Sequence, residues 1–153
     1  MIFKMTIGNI NSQNSNQIKM DSLIESFTNL TEEKNEYDIE FVENKNTLIF
    51  KFKTENSKEI GYKAILTDIN PLGIFLFESN QKAFIRILSI DNGHRFIKQN
   101  FNYSNTTNVI DIELPKNVDL EKTNKVIENL KSVLEKPKTE SDDIQIITSK
   151  SKN

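Results

Sequence analysis

Three observations predict an α+β domain built on an antiparallel meander of about seven strands, a curved sheet or partly closed barrel, with a short N-terminal helix and a longer C-terminal one. Between residues 37 and 114 apolar side chains recur with period two in short runs, which is strand spacing. Asn, Asp, Gly and Pro separate these runs at the rhythm expected of short antiparallel strands. Helical spacing of apolar residues appears only outside this region, at 22–30 and at 120–135.

The elements follow in chain order. Residues 9–20 hold many Asn, Gln and Ser and few large apolar groups, so 1–20 reads as a mobile arm with a short strand within 2–7. Ser22 stands three residues before Glu25, the spacing at which a hydroxyl and a carboxylate satisfy the first free amides of a helix. Leu23, Ile24, Phe27 and Leu30 then define one buried stripe. Tyr37, Ile39 and Phe41 alternate with acids, and a turn at 43–46 leads to Leu48, Phe50 and Phe52, which share a face opposite Lys51 and Lys53. After Ile60, Tyr62, Ala64 and Leu66, the residues 68–73 carry the Pro and Gly that reverse a chain. Residues 73–77 are apolar at nearly every position, as a strand covered on both faces would be, and are expected in the middle of the core. A strand at 83–90 is followed by Asn92-Gly93, the pair that favours a tight hairpin, returning through 95–103. A polar loop at 104–108 precedes a last strand at 109–114. Asp119 is placed to cap a helix whose Leu120, Ile127, Leu130 and Leu134 share a face, and Pro137 ends it. The domain thus spans 21–136, and 137–153, charged and rich in Ser and Thr, is expected to be disordered.

In order of elements, seven strands followed by a helix resemble a pleckstrin-homology-type barrel. An early strand, a helix, a meander and a final helix resemble a helix-grip fold. No motif accompanies either resemblance.

Composition narrows the chemistry. A chain of 153 residues buries enough surface to fold without cross-links, and it has no cysteine and one histidine. Disulfide scaffolds, thiolate metal sites and cysteine nucleophiles are excluded. No cofactor or metal is expected, because none of the four glycines falls in a phosphate-cradling pattern and the acids form no calcium loop. No apolar run is long enough to span a membrane, and the N-terminus lacks the apolar core of a secretory signal, so the expected location is the cytoplasm. Ile, Lys and Asn make up 59 of the 153 residues while Ala and Arg number two each, a bias that points to an AT-rich genome.

Several constellations invite a functional reading. His94 lies beside Asp91 and Arg95, the minimum of a general base, yet turn geometry accounts for these residues and nothing in the spacing brings a nucleophile to them. Lys51, Lys53, Lys63 and Arg86 would line a sheet face for single-stranded nucleic acid. Against that, residues 1–36, 37–114 and 115–153 carry net charges of −2, −1 and +1, without the excess that phosphate binding requires. Most of the ten phenylalanines fall at alternating strand positions, where a core needs them. Phe101 and Tyr103 do not; flanking a polar loop, they suit an interface. In the tail, Ile144, Ile146 and Ile147 follow Asp142-Asp143, a pattern that resembles a SUMO-interacting motif and that adds as a strand to a partner's sheet.

These observations favour a non-catalytic protein-binding module over an enzyme, with Phe101, Tyr103, Ile144, Ile146 and Ile147 as contact residues. The expected setting is an accessory protein of a phage or mobile element that inhibits a host protein by occupying its surface. The alternative is a carrier, or enzyme, holding a hydrophobic small molecule between the sheet and the C-terminal helix. Nucleic-acid binding through the lysine face is the lesser alternative.

Overall fold

The computed structural model describes residues 2–33, 35–100 and 103–135, with side chains from Ser15 onward. The elements are α1 (Ile2–Thr28), β1 (Tyr37–Val42), β2 (Thr47–Lys53), β3 (Glu59–Ile65), β4 (Ile69–Ser79), β5 (Lys82–Ser89), β6 (Phe96–Asn100), β7 (Tyr103–Thr107), β8 (Val109–Glu113) and α2 (Leu120–Leu134). All strand pairings are antiparallel, in a five-stranded sheet of order β1-β2-β3-β6-β7 and a three-stranded sheet of order β4-β5-β8.

The two sheets are the arms of one bent meander. A single 3-10 turn at Leu66–Asp68 separates β3 from β4, residues 90–95 separate β5 from β6, and Asn108 alone separates β7 from β8. Each pair is one long strand that changes sheet at its bend, and the three bends lie side by side because β3 pairs with β6 while β4 pairs with β5. Arg95 ties two of them together: its guanidinium meets Asp91 at 3.0 Å in one bend and Asp68 at 3.5 Å in the other. The outermost strands of the larger sheet, β1 and β7, do not pair, so the barrel of the pleckstrin-homology type is not closed.

Two turn expectations are corrected by these bends. Residues 68–73 do not reverse the chain; β4 runs through them with a register shift between Ile69 and Ile74 that absorbs Pro71. The Asn92-Gly93 pair makes a corner between sheets instead of a hairpin, and the left-handed backbone falls on Asp91 (φ 50°) and Asn92 (φ 56°), with Gly93 ordinary. Gly73 is small for a different reason: a Cβ there would lie 2.8 Å from the Leu88 Cβ on the neighbouring strand. Residues 73–77 form an edge strand, not the centre of the core, and Phe75 is 39% exposed. The loop expected at 104–108 is largely strand β7, because Ser, Asn and Thr pair through their backbones without an apolar alternation to announce it.

The core forms where inward-facing residues of both arms meet the helices. Leu48, Phe50, Phe52, Ile85, Ile87, Ile110 and Ile112 are almost wholly buried, and from α1 the stripe Met20, Leu23 and Phe27 closes over them. Phe27 meets Tyr37 and Phe50 edge-on, with ring centroids 5.6 and 5.8 Å apart. The stripe expected over 22–30 is the part that packs, but the backbone is helical from Ile2, so no strand forms within 2–7 and no helix begins at Ser22. Asn, Gln and Ser are weak helix formers, yet extending a turn that packing already holds costs little. Asn129 of α2 fastens the two helices, donating to the Ser22 carbonyl and the Ser26 hydroxyl, both at 3.1 Å. The cap of α2 is as expected: Asp119 accepts from the Glu121 N–H at 2.9 Å. No helix among the described residues is long and apolar enough to cross a membrane.

Candidate functional site

The inner face of the larger sheet changes character from one side to the other. Cross-strand register aligns Ile39, Phe50, Tyr62, Lys98 and Asn105 in one row, apolar at β1 and polar at β7. Strand β8 approaches this face edge-on. The Leu114 N–H points back to the Ala83 carbonyl at the β5 side, and the outward groups of β8 meet tyrosines: the Tyr37 hydroxyl donates to the Glu113 carbonyl, and the Asp111 N–H faces the Tyr62 hydroxyl. Burial pushes both phenols above their ordinary acidity range; the Glu113 and Glu36 charges push Tyr37 further, whereas Lys98 and the Asp111 N–H draw Tyr62 part of the way back. On one side of that seam lie the core and helices. On the other is an open corner.

This corner is a cleft of about 290 Å³ lined by residues of strands and the Thr54 turn, with none from either helix. Phe52, Ile60, Tyr62 and Lys98 come from the larger sheet, and Phe84, Val109, Asp111 and Glu113 from the smaller. Lys98 lies with its ammonium 5.7 Å from the centre of the Tyr62 ring. Asp111 is held in a bidentate pair by Arg86, two contacts of 2.8 Å, and the Arg86 guanidinium lies 3.7 Å over the Phe77 ring. Glu113 meets the Lys82 ammonium at 3.2 Å and accepts from the Glu55 N–H at 2.8 Å.

The residues singled out in the sequence are distributed as follows. Tyr103 is 63% exposed on the edge strand β7, directly opposite Asn100. Phe101, Ile144, Ile146 and Ile147 lie outside the described residues. Lys51, Lys53 and Lys63 share the outer face of the larger sheet, where Asp38 stands opposite Lys51 and Glu59 opposite Lys53. Arg86 is not with them; it belongs to the other sheet and to Asp111. His94 is exposed, and the Asp91 carboxylate is engaged by Arg95, whose hydrogen bonds hold its pKa below the usual carboxylate range. Among the described residues no group of three His, Asp or Glu side chains converges as metal ligands would.

The sequence reading placed Tyr62 only as a strand residue and did not single out Lys98, although for the lysine one signal was available. In β6 the inward frame reads Phe96, Lys98, Asn100, so a lysine occupies a position where alternation calls for an apolar residue.

The sheet edges differ in how they are finished. Unpaired strand edges invite other strands, and proteins blunt them with bulges, proline, charge or cover. β1 carries Asp38 and Glu40 and packs against α1; β4 has Pro71, a register shift and α2 beside it; β8 is met by the tyrosines. β7, with the sequence Tyr-Ser-Asn-Thr-Thr, has no charge, proline or bulge, and nearly all of it is exposed. Compared with known families, curated proteins and solved structures, the chain gives no significant match to any.

Proposed function

We propose that the protein is a non-catalytic binding module that recognises a partner protein by taking an extended segment of it onto the edge of β7. The observation that carries this reading is the unprotected state of that edge beside three others that are each finished, among the described residues. Tyr103, exposed at the start of the strand, supplies an aromatic contact of the type enriched at interfaces. The biological setting we attach to it is that of a cytoplasmic accessory protein of a phage or mobile element, which inhibits a host protein by occupying its surface. The composition bias and the lack of recognisable catalytic motifs support that setting.

The other two readings find less support. On the lysine face, acids stand opposite Lys51 and Lys53, which weakens a phosphate-binding field. The side of α2 that would border a carrier's cavity is filled by Val126, Ile127 and Leu130, packed into the core.

The test compares capture of partner protein from the source organism's lysate by three forms: the native chain, Tyr103→Ala, and the double variant Ser104→Lys with Thr106→Lys. Charged edges resist strand addition. The expected outcome is a partner retained by the native chain, weakened by Tyr103→Ala and lost with the lysine pair, whose circular dichroism stays native. Equal retention by all three forms contradicts the proposal.

A further inference from the structure

The charges lining the inter-sheet cleft do not cancel. Asp111 has both oxygens on Arg86, and Glu113 divides its oxygens between Lys82 and the Glu55 N–H, so both carboxylates are neutralised by groups at the cleft's margin. Lys98 is different. Among the described residues no carboxylate lies within ion-pairing distance of it, and its interaction is with Tyr62. A half-buried lysine with an aromatic neighbour and no counter-charge among the described residues leaves one positive charge in the lining of a cleft to which Ile60, Phe84 and Val109 contribute apolar surface beside Thr54, Thr107 and the two neutralised acids.

From this juxtaposition we propose that the cleft binds a small organic monocarboxylate with an apolar body, its carboxylate on Lys98 and its apolar part between Ile60, Phe84 and Val109. The volume of about 290 Å³ lies near the lower end of small-molecule sites, which limits the ligand to a single ring or a short branched chain. Charge sets the class: an ammonium in partly desolvated surroundings gains more from a carboxylate than the same group does in water, and an uncharged ligand leaves it unpaired. The cleft touches β7 at Thr107, the last residue of that strand, and its test requires no partner protein.

Phenylacetate and its neutral analogue phenylacetamide are titrated into the native protein at matched ionic strength, with amide and methyl NMR shifts followed. The expected result is saturable shifts at Lys98, Tyr62 and Val109 with phenylacetate, and binding at least about fivefold weaker for the amide, as expected for loss of a charge-assisted contact. Lys98→Met should weaken phenylacetate about tenfold, while Lys63→Met, on the outer face, leaves it unchanged. Equal binding of acid and amide to the native protein overturns the proposal, whether or not the variants fold. So do shifts that saturate elsewhere, or an absence of saturable shifts.

Discussion

The two sides of strand β8 are built from the same meander but finished in opposite ways. On the side toward the helices, Phe27, Phe50, Ile85, Ile87, Ile110 and Ile112 leave almost no surface in contact with water. On the other, the inner face of the larger sheet runs on through Lys98 to Asn105 and Tyr103, and among the described residues no helix contributes to the cleft there. The contrast separates stability from recognition. Packing on the first side holds the bent meander rigid, and a rigid frame leaves the second side to carry polar and exposed groups that a marginal fold would not tolerate.

Substitutions on the two sides should therefore differ most in their effect on stability. Phe50→Ala, in the closed half, should cost ~3–5 kcal/mol in urea unfolding, the range for emptying a buried aromatic site. Asn105→Ala, in the same row but on the exposed strand, should stay within ~0.5 kcal/mol of the native chain. Similar losses at both sites would erase the distinction.

Gly73→Ala probes the irregular pairing of β4 with β5 in the smaller sheet. Its new Cβ would meet the Leu88 Cβ at 2.8 Å, so the strands must part, at a cost of about 1–3 kcal/mol read from the thermal midpoint.

The seam itself is tested by Tyr37→Phe, which removes the hydroxyl that covers the Glu113 carbonyl and should cost ~1–3 kcal/mol. It also changes the response to alkali. The Tyr37 pKa is raised in the fold, so the neutral phenol's stabilising contribution is whole below the ordinary phenol value of about 10 and is lost as pH rises beyond it. The native chain should lose stability above about pH 10 more steeply than Tyr37→Phe. Parallel pH profiles would show that the phenol is not buried at the seam.

Much of the closed half was legible in the sequence, because burial on one face writes a period of two into a strand and of 3.6 into a helix. The apolar alternation of Leu48, Phe50 and Phe52 and the cap at Asp119 are of this kind. The open half was less legible for the same reason. β7 buries no side chain, so nothing in Ser104, Asn105 and Thr106 distinguishes it from a loop. The bends were hidden too, since Asp91, Asn92 and Gly93 serve a hairpin or a corner equally well, and only long-range pairing decides between them. Tyr103 was visible as an aromatic out of the core pattern. The pairing of Arg86 with Asp111, which removes that arginine from the basic face and neutralises a cleft carboxylate, depends on a register across 25 residues that local spacing does not encode.

The most direct measurement is hydrogen exchange, resolved to single amides, on the protein alone and in complex with the partner it captures. The account predicts that residues 103–107 gain protection in the complex, while the lysine face around Lys51 and Lys63 exchanges as before. Protection gained on that outer face, with β7 unchanged, would contradict it.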